Sequence, residues 1–273
     1  MKFSVLMSVY KKENTQYLQE SLESILCQTR LPDEIVIVED GPLTSALYEM
    51  LAVYAERYPM IRRVSFPVNR GLGLALRDGV IACSYEWIAR MDTDDISKPD
   101  RFEKQVNFLK SHPDIALLGT AIEEFSIDEN HPDSITILPQ TCDEILKFAK
   151  KRNPFRHMTM MYKKSAVLDS GNYRHMMWFE DYDLWVRMLI HGFRSANLPE
   201  VLVSVRADSA MFARRGGWKY LKQDIKFQIL LYKEHFIGPL VLLENIAMRG
   251  IVRLIPNALR IKFYKSFLRN GRK

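Results

Sequence analysis

The sequence predicts an α/β protein with a mostly parallel central sheet flanked by helices, and two observations support this. Short runs rich in Val and Ile alternate with segments whose apolar residues recur at helical spacing, the pattern of βαβ units. At 273 residues, 47% of them hydrophobic, the chain is also long enough to bury a full core. This composition excludes disordered, collagen-like and disulfide-rich classes.

Each element is expected from its local pattern, in chain order. The strands are the apolar, β-branched runs at 3–10, 34–39, 63–66, 87–91, 115–119, 134–138, 158–162 and 202–205. The helices are the periodic segments at 18–26, 43–57, 72–82, 99–111 and 180–191, the first capped by Asn14 or Thr15. Right-handed crossovers then place the first four strands in one parallel sheet.

Polar residues at the carboxyl ends of these strands are the first candidates for a site, because open α/β sheets bind their ligands there. Strand one ends with Ser8 and Tyr10, strand two with Glu39 and Asp40, and strand four with the run 92–95. We expect the three ends to converge on one edge of the sheet.

The run Asp92-Thr93-Asp94-Asp95 places three carboxylates within four residues. Such a density of negative charge is costly without a cation, and hard oxygen ligands suit Mg²⁺ or Mn²⁺ better than Zn²⁺. The alternative is a cluster of helix-capping residues ahead of Pro99. The tetrapeptide alone leaves both open, and its position at a strand end favours the metal.

A glycine-bearing loop, Asn69-Arg70-Gly71-Leu72-Gly73, precedes the third helix. It is similar to the start of a dinucleotide-binding fingerprint, but Leu76 stands where the third glycine is required. The dinucleotide interpretation is therefore excluded. A phosphate contact at a helix N-terminus and an ordinary turn remain.

Two acids, Glu180 and Asp181, stand in the first turn of an amphipathic helix. The helix dipole there stabilises an ionised carboxylate, which suits a general base, although helix capping is the better interpretation in isolation. His157 follows Asn153-Pro154-Phe155-Arg156. Taken alone, it is more typical of a structural histidine.

Charge divides the chain near residue 210. Residues 212–273 carry 14 Lys and Arg against 3 Asp and Glu, an excess of +11, whereas the whole chain carries +6. Between 251 and 269, apolar and basic residues interleave as in a helix lying on an anionic membrane; a terminal helix packed on the domain is the alternative. We expect one domain at 1–210 and a basic amphipathic helical region at 211–273.

The cysteines and the termini favour a cytoplasmic protein. Cys27, Cys83 and Cys142 form no CxxC pair, which is typical of a reducing compartment. The N-terminal residues lack a signal-peptide core, and the apolar run 236–243 is too short to cross a bilayer.

Five motifs in order resemble the family 2 inverting glycosyltransferases of the bacterial surface-polysaccharide type. They lie at 7–10, 38–41, 69–73, 89–99 and 180–185, and the segments 153–157 and 197–200 also look like family segments. The resemblance runs from about residue 2 to residue 205. It implies the GT-A fold, a Rossmann-like and mostly parallel sheet flanked by helices, here followed by a basic C-terminal helical tail.

The resemblance also implies roles for individual residues. Asp94 and Asp92 match the pair that holds Mn²⁺ or Mg²⁺, Asp181 the catalytic base, Glu180 its neighbour, and His157 a position near the acceptor or the departing diphosphate. Arg77 and Glu39 stand where relatives often carry Asn and Asp. The residues implied to bind the donor are Ser8, Val9, Tyr10, Glu39, Asp40, Asn69, Arg70, Gly71, Arg77, Asp92 and Thr93.

The function implied is a metal-dependent, inverting transfer of a hexose from a nucleotide-sugar, usually a UDP-sugar, to a lipid-linked oligosaccharide in surface polysaccharide or lipopolysaccharide assembly. The basic tail would hold the enzyme peripherally on the anionic surface of the cytoplasmic membrane. Transfer to a polyprenyl phosphate is an alternative of the same class. A basic nucleic-acid-binding protein is an alternative of another class, but the sequence carries no motif for one and we expect no nucleic-acid partner. The oligomeric state is not predicted.

Overall fold

A computed structural model of the chain describes residues 1–207 and 217–254. The first part alternates as expected: β1 (Phe3–Val9), α1 (Thr15–Leu26), β2 (Glu34–Glu39), α2 (Ser45–Arg57), β3 (Ile61–Ser65), α3 (Leu72–Ala82) and β4 (Trp87–Arg90). There follow β5 (Ile96–Ser97), α4 (Arg101–Ser111), β6 (Ile115–Phe125), β7 (Ser134–Thr136), α5 (Cys142–Ala149), β8 (Met161–Lys163), α6 (Lys164–Asp169), α7 (Glu180–Ile190), β9 (Arg194–Arg206), α8 (Trp218–Lys233) and α9 (Pro239–Leu254).

The described strands form one mixed sheet in the order β3-β2-β1-β4-β8-β6-β9-β5, with β7 paired to β6. The first four strands are parallel, which confirms the predicted α/β architecture. β8 then runs antiparallel to both β4 and β6, while β6 and β9 are parallel. Val9 pairs with Glu39, and Glu39 with Ser65, so the ends of β1, β2 and β3 lie side by side.

Helices cover both faces of the sheet. α3, α7 and α8 bury Leu76, Trp185 and Phe227 in one apolar cluster, whereas α1 and α4 bury Leu22 and Phe102 in another on the opposite face. Burial on both faces explains why β2 is an unbroken apolar run between two glutamates, with every residue buried.

Some boundaries differ from the sequence expectation for local reasons. The expected strand at 158–162 starts only at Met161, because His157–Thr159 form a 3₁₀ turn that the Thr159 hydroxyl closes on the Arg156 carbonyl at 2.9 Å. β9 spans thirteen residues instead of the expected four. Its pairing with β6 shifts between Leu198 and Val201, where two exposed residues are left unpaired. This β-bulge lets the strand continue through Pro199.

The basic region beyond residue 216 packs on the body as far as it is described. Phe227 and Leu231 of α8 join the core, and the buried Asp224 accepts hydrogen bonds from Arg249 (2.6 Å) and Arg253 (3.3 Å) of α9. Residues 217–254 thus pack on the body, whereas most of the interleaved segment 251–269, to which the membrane-helix and packed-helix interpretations apply, lies outside the described residues. Among the described helices, none is both long and apolar enough to cross a membrane.

A glycine in α3 sets the distance between this helix and the sheet. A Cβ on Gly79 would lie 2.5 Å from Cδ1 of Leu6 and 2.9 Å from Cγ2 of Val38. Because overpacking typically costs about 1–3 kcal/mol and exceeds the helix-propensity gain of about 1 kcal/mol, Gly79→Ala should lower the free energy of unfolding in urea. Gly250→Ala in α9, where an added Cβ meets no atom within 4 Å, should raise it by up to about 1 kcal/mol. Equal effects of the two substitutions would contradict the close packing of α3.

Candidate functional site

The carboxylate of Asp40 joins the second and third strand-end motifs. Its two oxygens accept hydrogen bonds from the backbone N–H groups of Arg70 (2.8 Å) and Gly71 (2.9 Å). The backbone carbonyl of Asp40 accepts a third from the side-chain amide of Asn69 (2.9 Å). Gly41 must be glycine, since its φ is +86° and a Cβ would lie 2.5 Å from the Asn69 nitrogen. The loop ahead of α3 is thus fixed to the end of β2.

Side chains beside this loop are tied to one another. The buried Glu39 carboxylate accepts hydrogen bonds from Arg63 and Ser65 of β3, both at 2.5 Å. Asp78 receives Arg70 at 2.6 Å and Arg77 at 3.1 Å, so one carboxylate holds both arginines. The guanidinium of Arg70 also lies 3.9 Å from the centre of the Phe66 ring.

The end of β1 lies at the same edge. Val9 is buried in the core, Ser8 is half-buried, and Tyr10 is exposed just after the strand. The three residues therefore differ in how far they are open to a ligand.

A buried arginine lies behind the acidic run 92–95. Arg90, the last residue of β4, forms an ion pair with Asp92 and is almost fully buried. Its carbonyl accepts a hydrogen bond from the equally buried Arg101 (2.8 Å), and the Asp92 carbonyl accepts one from Ser21 (2.8 Å). These contacts fix the start of the loop in place.

The next two acids of the run lie in a region of concentrated negative charge. Burial and the neighbouring Asp92 raise the pKa of Asp94 to about 6. Burial, followed by the charge of Asp94, raises the pKa of Asp95 well above its ordinary value. Among the described residues, no three Asp, Glu, His or Cys side chains are already grouped to enclose a metal ion.

Arg206, which the sequence analysis did not select, holds this loop from the other side. Its backbone N–H donates to Asp95 (2.9 Å), its Nε to the Asp94 carbonyl (3.2 Å) and its Nη2 to Glu20 (2.6 Å). The guanidinium also stacks 3.9 Å from the ring centre of Tyr17. No local pattern marks this residue, because it lies more than a hundred positions after the loop that it contacts.

Glu13 was also missed. Its pKa is raised to about 7, mainly by burial; the charges of Asp94 and Asp92 also raise it, and a hydrogen bond with the Thr93 side chain lowers it. Glu13 follows the end of β1, so the strand-end rule that selected Tyr10 could have found it if applied three residues further.

The first turn of α7 brings the second acidic motif to the same edge. Asp181 is half-buried, and its carboxylate accepts the Asn153 amide and the Tyr182 N–H, both at 2.7 Å. Burial, followed by the Asp181 charge, raises the pKa of Glu180 to about 7.

α3 and α7 meet at their N-terminal ends through Gly73. A Cβ on this residue would lie 2.5 Å from the Arg174 carbonyl and 3.1 Å from Cβ of Glu180. The glycine-bearing loop and the acidic turn of α7 therefore form neighbouring walls of one site.

The third acid of α7 has a different environment. Asp183 is buried and forms an ion pair with Arg187 at 2.7 Å, and Arg187 in turn donates to the Asn172 carbonyl at 2.8 Å. Asp183 thus stabilises the packing of α7 and does not face the site.

His157 belongs to a compact aromatic group behind the acids. Its Nε2 lies 2.9 Å from the Tyr173 hydroxyl, and its ring is 6.0 Å from that of Trp185. Burial, followed by the charge of Arg90, holds the pKa of His157 well below its ordinary value. The imidazole is therefore neutral at physiological pH.

Comparison with known proteins finds relatives along most of the chain. The model of Glycosyl transferase family 2 matches residues 4–175. The amylovoran biosynthesis glycosyltransferase AmsE of Erwinia amylovora is 41% identical over 93% of this chain and 94% of its own length. The Escherichia coli UDP-Gal:alpha-D-GlcNAc-diphosphoundecaprenol beta-1,3-galactosyltransferase is 36% identical over 98% of this chain and 97% of its own length.

The fold is also found among solved structures. The mannosyltransferase PcManGT from Pyrobaculum calidifontis, in complex with GDP-Man and Mn²⁺, superposes with a TM-score of 0.65 at 16% identity, over 96% of this chain and 72% of that one. The sheet and its flanking helices are thus the GT-A fold. The sequence resemblance is confirmed, and the chain belongs to glycosyl transferase family 2.

Proposed function

We propose that this glycosyltransferase moves a sugar from a UDP-sugar to a hydroxyl of a lipid-linked glycan, with inversion at the anomeric carbon, during surface polysaccharide assembly. One observation carries the proposal: Asp92 and Asp94 after β4, and the acidic first turn of α7, lie at one edge of the sheet, beside the loop fixed by Asp40. The names of the relatives from Erwinia amylovora and Escherichia coli support the substrate classes.

The donor is expected to lie along the ends of β1, β2 and β4. Ser8, Val9 and Tyr10 would contact the nucleoside together with Glu39 and Asp40. Asn69, Arg70, Gly71 and Arg77 border the α3 side, and Asp92 and Thr93 the β4 side. In the structure the carboxylates of Glu39 and Asp40 are already bonded to protein groups. We infer that these two shape the pocket and that backbone and aromatic groups contribute most of the direct donor contact.

The carboxylates of Asp92 and Asp94 fit Mg²⁺ or Mn²⁺ as metal ligands. Asp92 and Asp94 supply hard carboxylate oxygens, and the raised pKa of Asp94, caused by burial and the charge of Asp92, indicates negative charge that a cation would offset. Since Asp92 is paired with Arg90, Asp94 is the better ligand. A bound divalent cation supplies charge stabilisation to the departing diphosphate.

The protein residues then carry the proton transfer. Asp181, oriented by Asn153 and by the Tyr182 N–H, accepts the proton of the acceptor hydroxyl. The acceptor oxygen forms a bond to the anomeric carbon as the bond from that carbon to the diphosphate oxygen breaks, and the diphosphate keeps the electron pair. Attack from the opposite face inverts the centre.

Glu180 and His157 support this step. Because its pKa is about 7, Glu180 is partly protonated near neutral pH, and we infer a supporting role for it beside Asp181. The neutral His157, whose Nε2 lies against the Tyr173 hydroxyl, would act near the acceptor or the departing diphosphate. With a lipid-linked acceptor, the enzyme would act at the cytoplasmic face of the membrane.

Removing the Asp94 carboxylate tests the metal role. Asp94→Asn should lower the apparent affinity for UDP with Mn²⁺ by about tenfold or more, as determined from the thermal stabilisation of the protein by this ligand. The metal-free variant should stay folded. Asp92→Asn should weaken ligand binding less but lower the free energy of unfolding, because it leaves the buried Arg90 without its ionic partner. Unchanged Mn²⁺ dependence in Asp94→Asn would overturn the assignment.

Asp181→Asn tests the base. The amide oxygen still accepts a hydrogen bond but takes no proton, so turnover should fall roughly 10²–10⁴-fold while donor affinity stays near wild type. Asp183→Asn is the contrasting variant: it should cost about 3 kcal/mol of stability by leaving Arg187 unpaired. An Asp181→Asn variant that remains active would contradict the assignment of Asp181 as the base.

The environment of Glu180 predicts a pH-dependent stability. Burial raises its folded-state pKa to about 7, so above that pH the fold carries a buried charge, whereas below the ordinary value of 4.5 both states are protonated and the cost is absent. Glu180→Gln should therefore raise the free energy of unfolding by about 1–3 kcal/mol at pH 8 and by less at pH 5. Glu200→Gln, at an exposed site, controls for loss of a charge. A Glu180→Gln effect that is equal at the two pH values would contradict the burial of this carboxyl.

A further inference from the structure

The outer face of α9 carries an apolar stripe that nothing in the described fold covers. Leu240 and Leu243 are 75% and 65% exposed, and Met248 and Ile251 are each more than half exposed. The spacing of these residues places them on one side of the helix, where the exposed Glu244 also lies, paired with Lys151 at 2.9 Å. Asn245, Arg249 and Arg253, on the opposite side, bond to α8 and to the end of α5. The stripe is therefore directed away from the body by well-anchored contacts.

The neighbouring helix adds amphipathic side chains. Trp218, Ile229 and Tyr232 of α8 are exposed, and Lys222, Lys226 and Lys233 are exposed along the same helix. Trp and Tyr with interleaved Lys are typical of protein surfaces at the boundary between lipid and water. α8 and α9 are held together through Gln228 and Asn245 at 2.8 Å, so the exposed residues belong to one helical hairpin.

Positive charge surrounds the hairpin. The carbonyls of Lys150 and Lys151, at the end of α5, accept hydrogen bonds from α9, which places these exposed residues beside it. Asp224 is buried against Arg249 and Arg253, and Glu244 is paired with Lys151. Beyond Leu254 the sequence adds six Lys and Arg and no acidic residue.

We propose that the α8–α9 hairpin is a docking surface for an anionic lipid bilayer, with the stripe Leu240, Leu243, Met248 and Ile251 inserted among the acyl chains. The proposal deepens the proposed function by giving the enzyme a defined contact with the surface that carries its acceptor. A second copy of the chain is a poorer occupant because it would bring two positive surfaces together. A nucleic acid would leave the apolar stripe exposed to water.

The test is flotation of the full chain with vesicles. Wild type should bind phosphatidylcholine–phosphatidylglycerol vesicles, bind pure phosphatidylcholine less, and dissociate as salt rises. A Leu240→Glu, Leu243→Glu variant should lose vesicle affinity by about tenfold or more, since it removes inserted apolar area and adds repelled charge. A Val53→Glu, Ile81→Glu variant, at positions 60% exposed on α2 and α3, should float like wild type.

Three results would overturn the proposal. The first is normal flotation of the stripe variant. This holds also if a second variant that lacks residues 255–273 fails to bind, because binding would then depend on that segment and not on the stripe. The second is equal binding to neutral and anionic vesicles. The third is loss of a dimer by the stripe variant in gel filtration with vesicle affinity unchanged.

Thermal stabilisation by UDP with Mn²⁺ separates this proposal from the enzymatic one. The stripe variant should keep that stabilisation in full. A wild type that binds vesicles but no nucleotide would contradict the proposed function alone, and a wild type that binds nucleotide but no vesicles would contradict the docking surface alone.

Discussion

The candidate site depends on the ion pair between the buried guanidinium of Arg90 and Asp92. The guanidinium neutralises Asp92, just after the end of β4, and its charge acts on His157 as well as on the acids around it. The backbone carbonyl of Arg90 also accepts a hydrogen bond from Arg101. A buried cation is costly unless it is paired, so the loop that carries Asp92 is held where that pairing is satisfied. The position of the acidic loop is thus coupled to the core of the sheet rather than to its surface.

A second set of contacts relates the proposed donor side of the site to the proposed acceptor side. Asp40 fixes the loop ahead of α3, and Gly73 lets α3 pass the Arg174 carbonyl, just ahead of α7, at a distance that no side chain would permit. A shift of α3 would therefore change the placement of Glu180 and Asp181 together with the loop at 69–71. The two sides of the candidate site are linked through one helix of eleven residues.

The sequence predicted what depends on local pattern. The alternating strands and helices of the first ninety residues were correct because apolar periodicity reports burial directly, whereas the short β5 was not predicted. Asn14 caps α1 as one of two expected residues. The extent of β9 and the contacts of Arg206 were not predictable, since they rest on pairing between residues far apart in the chain. Asp183 differs from Asp181 only through Arg187 and the surrounding core, which a stretch of acids does not reveal. The packing of α8 likewise depends on a buried Asp224 whose partners lie 25 and 29 positions further on.

The bulge in β9 bears on how this chain tolerates changes of length. Side chains of a strand alternate between its two faces, so the parity of the segment after the bulge decides whether Val203 and Val205 face the core and whether Arg206 reaches Asp95. Pro199 and Glu200 are exposed and unpaired, so losing both would preserve that parity, whereas losing one would reverse it. The chain should therefore tolerate the loss of both residues better than the loss of one.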